Sequence, residues 1–116
     1  MKSSDLLRGK TYYQLTFADP TMTMPGVEAL VYVGLADSCK ANHAKLFCFQ
    51  DTVSFVRFGF CTEYKGDEDV TAIFLPESDL DSIYNLDGIV SELLMAKNRA
   101  DELGDVRLIQ AEGTWV

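Results

Sequence analysis

FCFQDTVSFVRFGF, residues 47–60, carries five of the chain's seven phenylalanines and admits two readings: a hairpin of two strands, or a strand that breaks at Asp51 into a short helix. A two-residue hairpin needs positive φ at both central residues and favours Asn-Gly or Asp-Gly, which Asp51-Thr52 is not. Asp51 is a good N-cap, and Gly59 stands where a C′ glycine would end one or two helical turns. Between them Val53 pairs with Val56, and Phe55 with Phe58, at i, i+3. The stretch therefore reads as strand over 45–50 and a short helix over 52–58. Phe47 and Phe49 then belong to a sheet, and Phe55 and Phe58 plug one end of it.

Working outward, Tyr12–Phe17 has the aromatic and β-branched pattern of a strand with Tyr13, Leu15 and Phe17 on one face. ADPTMTMPG (18–26) has no helical period and reads as a loop, in which Met22 and Met24 pack on the core. The sharper alternative makes the two methionines a flexible apolar contact surface. Val27–Leu35 places Val27, Ala29, Val31 and Val33 on one face and Leu30 and Tyr32 on the other, the mark of a central strand. Residues 36–43 and 61–69 read as polar turns, and Val70–Leu75 as a strand ended by Pro76.

After Pro76 the period changes. Ser78 or Asp79 caps a short helical turn that carries Leu80, Ile83 and Tyr84. A main amphipathic helix follows over 87–103, with Asp87 as N-cap, Ile89, Val90, Leu93, Leu94 and Ala100 along one stripe, and Gly104 beyond its end. Val106–Ala111 alternates as a closing strand. The expected fold is a single α+β domain spanning 1–116, with about five strands in a small, strongly bent antiparallel sheet. The strand spacing is compatible with an SH3-like barrel.

The charge pattern narrows the function. The net charge is −8, and residues 63–92 hold nine acids against Lys65 alone, so the whole excess lies in one span. Such a field repels phosphate backbones and anionic headgroups, which argues against nucleic acid and membrane surfaces and for a basic protein partner. The residues expected to meet that partner are Glu63, Asp67, Glu68, Asp69, Asp79 and Asp81. No export-type apolar run is present and the cysteine count is odd, so the chain reads as cytoplasmic with reduced thiols.

Catalytic signatures are sparse. Cys39, His43, Cys48 and Cys61 supply a Cys3His set, but the spacing lacks C-x2-C knuckles, and the set reads as small thiols plus a turn histidine, with no metal. His43 is the chain's one histidine and has no nucleophile motif near it. Calcium-loop, P-loop and dinucleotide fingerprints are missing, so no cofactor is expected. The reading is a non-enzymatic interaction protein of adaptor, inhibitor or immunity type, more consistent with a binder than an enzyme. The alternative is a small enzyme or ligand-binding domain with a pocket between the sheet and the C-terminal helix. Edge strands of a small sheet are compatible with a homodimer.

Overall fold

The Phe-rich stretch breaks where Asp51 places the break. The computed structural model describes residues 1–37, 45–66 and 70–104. Strand β1 is Thr11–Phe17, β2 is Pro25–Asp37, β3 is Lys45–Asp51, helix α1 is Thr52–Phe58, β4 is Ala72–Pro76, β5 is Ile83–Tyr84, and helix α2 is Leu86–Leu103. The Asp51 carboxylate accepts from Ser54 N at 2.9 Å, and Gly59, at φ 76° and ψ −160°, donates to the Phe55 carbonyl and ends the helix. This satisfies orphan groups at both ends of a helix too short to persist alone.

The sheet is antiparallel throughout, in the order β4-β3-β2-β1-β5. Among the described residues β4 and β5 do not pair. The sheet is open, and the barrel that the strand spacing allowed is not closed. The fifth strand is the two-residue β5 on the outer edge of β1, whereas the closing strand expected over 106–111 lies outside the described residues.

β2 is central, and its two faces build two cores. Leu30 and Tyr32 join Tyr12, Phe47, Phe49, Leu80, Ile83 and Leu6 on what we call the aromatic face. The Tyr32 ring lies 5.4 Å from Phe49 and 6.4 Å from Phe47, within the range of tilted aromatic pairing. Val31, Val33 and Cys48 form the other, the valine face, covered by Phe55, Phe60 and Cys61. A bulge between Tyr32 and Gly34 lets Val33 stand opposite no single β3 residue, and Gly34 takes a φ of 131° there. Phe55 packs edge-on to Phe60 at 5.1 Å, whereas Phe58 turns aside to Tyr64 at 4.8 Å, so one of the two expected helix plugs enters the lid.

From β4 the chain crosses the aromatic face as a 3-10 segment, Glu77–Ser82, whose Leu80 is fully buried, and reaches β5 at the opposite edge. The N-terminal amine donates to the Leu80 carbonyl at 2.7 Å. α2 then packs over β1 and β5. Asn85, rather than Asp87, caps it: its Oδ1 accepts from Gly88 N at 2.7 Å, and Asp87 occupies the first turn. Both are Asx residues and both suit the helix's positive end.

Buried Gln50 holds α1 to the sheet. Its amide nitrogen donates to Ser54 Oγ and to the Gly59 carbonyl, each at 3.0 Å, and its amide oxygen accepts from Cys61 N at 2.8 Å. One side chain on β3 thus grips the start of α1, its end and the segment beyond.

Candidate interaction surface

α2 has an apolar stripe wider than its seat. Ile89 and Ala96 are buried and Leu93 half-buried, but Leu86, Val90 and Leu94 are 59%, 47% and 56% exposed. Spaced at i, i+4 and i+8, the three form one ridge along the helix. A periodic stripe shows which residues share a side of a helix. It does not show how much of that side the sheet covers.

At the far end of α2, Arg99 reaches the β1–β2 loop. Its Nε donates to the Met22 carbonyl at 2.8 Å, and its guanidinium lies 5.5 Å from the Phe17 ring. The loop itself is organised by Asp19. That carboxylate accepts from the hydroxyls of Thr21 and Thr23, each at 2.5 Å, and from the backbone N–H of Thr23 and Met24. Partial loss of solvent raises the Asp19 pKa, but these bonds outweigh it and hold the carboxyl well below the ordinary carboxylate range. The threonines are drawn toward the aspartate, Thr23 is buried, and Met22 and Met24 stand half-exposed. The expectation that the methionines pack on the core is thereby reversed. Met22 also takes a positive φ of 57° in this turn.

The six carboxylates read as a partner-binding set do not meet on one described surface. Asp67, Glu68 and Asp69 lie outside the described residues. Glu63 follows the valine-face lid and pairs with Arg8 Nη2 at 3.0 Å. Arg8 also donates from Nε to the Val33 carbonyl, and its guanidinium lies 3.7 Å from the Phe60 centroid. The charge of Glu63 is therefore countered locally. Asp79 and Asp81 sit on the 3-10 crossover of the aromatic face and are exposed.

Asp81 has a companion that sequence reading missed. Loss of solvent raises the Tyr84 phenol pKa, and the neighbouring charges of Glu92 and Asp81 raise it further. Glu92, placed on the polar side of the helix by its period, thus shares the β5 end of the molecule with Asp81. From Gly66 to Ala96 the sequence has no Lys or Arg, and the described acids of that stretch are Glu77, Asp79, Asp81, Asp87 and Glu92; Lys97, one turn beyond Leu94, pairs with Asp101 at 3.2 Å.

Of the four candidate metal ligands, Cys39 and His43 lie outside the described residues, while Cys48 and Cys61 come together under α1. Among the described residues no three His, Cys, Asp or Glu side chains converge as a metal site. A cavity of about 270 Å³ is lined by Thr52, Val53, Val56 and Arg57. These residues all belong to α1, so this cavity is a surface hollow and does not lie at the seam between the sheet and α2. No helix among the described residues is long and apolar enough to cross a membrane. Comparison with protein-family models, curated proteins and solved structures finds no match to this chain.

Proposed function

We propose that the protein is a non-enzymatic interaction module whose partner is a basic protein bearing an apolar contact strip flanked by Lys or Arg. The observation that carries this reading is the solvent-facing ridge of Leu86, Val90 and Leu94, which belongs to a stretch, Gly66–Ala96, that has carboxylates and no Lys or Arg, with Lys97, paired to Asp101, just beyond the ridge's far end. Desolvated apolar contact supplies affinity in such an interface, while the surrounding charge selects partners and accelerates encounter. Asp79 and Asp81 are the members of the expected set best placed to steer a partner to α2. Glu63 contributes less, because Arg8 already holds it. Asp67, Glu68 and Asp69 extend the same acidic field in sequence.

The test is affinity capture from native cells with the wild-type chain, with Val90→Glu/Leu94→Glu, and with Asp79→Asn/Asp81→Asn, each checked for an unchanged circular dichroism spectrum. A basic protein retained by the wild type should be lost with the ridge variant. With the Asp variant it should associate more slowly and depend less on salt. Equal capture by all three chains would remove the reading.

A further inference from the structure

Cys48 and Cys61 pack into one core beneath α1 although they stand thirteen positions apart along the chain. Cys48 is buried on β3 in the valine-face core, and Cys61 is half-buried where the chain leaves α1 and packs on that core. The two side chains pack in the same small cluster with Val31 and Val33. Their approach is built in, because the Gln50 amide accepts the Cys61 N–H at 2.8 Å and fixes that backbone against the strand bearing Cys48. We propose that Cys48 and Cys61 are a reversible oxidation site, a dithiol that a peroxide converts to an intramolecular disulfide clasping α1 to the sheet.

Access sets the order of events. Burial, with the charge of and hydrogen bond with Cys61 adding to it, pushes the Cys48 thiol up to about 12, so Cys48 does not meet the oxidant first. Cys61 does. Its thiolate attacks hydrogen peroxide, the O–O bond breaks, water leaves, and Cys61 becomes a sulfenic acid. The Cys48 sulfur then attacks the Cys61 sulfur and displaces hydroxide, which takes the Cys48 proton and leaves as a second water. Two thiols have been oxidised by two electrons and one peroxide reduced to two waters. A dithiol reductant reverses the step by exchange. The bridge closes a loop that contains all of α1, so it restricts the unfolded chain while leaving the folded contacts in place.

The experiment uses the full chain with Cys39→Ser, so that the two thiols are the only ones. The protein is exposed to hydrogen peroxide while folded, then denatured, alkylated and digested with trypsin. Cleavage after Lys45, Arg57 and Lys65 puts Cys48 and Cys61 on different peptides, Leu46–Arg57 and Phe58–Lys65. The expected product is these two peptides joined, separable by dithiothreitol, in a monomer whose unfolding midpoint rises by about 10 °C. With Cys61→Ser added, Cys48 should remain alkylatable under the same exposure. The proposal is overturned if Cys61 passes to sulfinic acid while Cys48 stays free, if the bridge links two chains, or if it lowers the unfolding midpoint. Equal oxidation of Cys48 without Cys61 would also overturn it.

Discussion

Replacing Gln50 with leucine should cost about 2–4 kcal/mol of stability, although it exchanges a buried amide for an apolar side chain of similar size. The magnitude follows from the bonds the amide makes. Cys61 N–H and the Gly59 carbonyl would each lose a partner, at about 1–3 kcal/mol for a buried group left unpaired. Ser54 would lose less, since its hydroxyl also bonds to the Asp51 side chain. Burial of the extra apolar surface returns about 1 kcal/mol. Urea unfolding at neutral pH is the assay: the midpoint should fall by about 2 M with an unchanged slope, taking about 1.5 kcal/mol/M for a chain this size. Gln50→Glu separates bonding from packing. It keeps the shape and one acceptor but sets a carboxylate against the Gly59 carbonyl, so it should destabilise at least as much as leucine. A leucine variant within about 0.5 M of wild type would refute the claim that this amide holds α1.

Three other perturbations test the same architecture. Gly59→Ala meets no atom within 4 Å of the added methyl, so its cost of about 1–3 kcal/mol in thermal unfolding should come from backbone strain alone. Arg8→Ala should lower the unfolding midpoint through lost contact with Phe60 and Val33, by about 1 kcal/mol, whereas Glu63→Gln, removing an exposed pair, should change it by less than about 0.5 kcal/mol. Solvent loss raises the pKa of Asp51, as it does that of Asp19, but hydrogen bonds outweigh it in both and leave their folded values below ordinary. The unfolded chain therefore binds more protons, and the stabilisation is complete above about pH 4 and lost as pH falls through the folded values. Urea midpoints from pH 7 to pH 2 should show this slope, shallower in Asp19→Asn/Asp51→Asn; an equal slope would assign acid lability elsewhere.

Local chemistry made much of the fold readable. Asp51 and Gly59 delimit α1 at Thr52–Phe58 as expected, and the alternation in β2 separates Leu30 and Tyr32 from Val31 and Val33 as observed. Leu80 and Ile83, three positions apart, are both buried, as their spacing implies. A spacing of three, however, suits a 3-10 segment followed by strand as well as a helical turn, so the spacing of these residues hid β5. The surface was harder to read, for reasons of range. Glu63 finds Arg8 fifty-five positions away, and Asp81 and Glu92 both act on Tyr84 only because β5 and α2 fold back together. The Met-Thr alternation of the loop allowed either pair to turn inward, and Asp19's oxygens chose the threonines.

The bulge at Val33 makes β2 unusual in its tolerance of length change. Ahead of it even-numbered residues face the aromatic core; beyond it Gly34 pairs with Cys48 and the parity is inverted. Shortening a strand by one residue ordinarily swaps every later side chain to the wrong side. Deleting Val33 would instead bring Tyr32 and Gly34 into plain succession opposite Phe49 and Cys48, so the β2–β3 ladder would keep its partners. The loss would be confined to one valine in the smaller core and to the carbonyl that Arg8 uses. The central strand thus carries a built-in spare residue, at a place where a frame change leaves the neighbouring pairings legible.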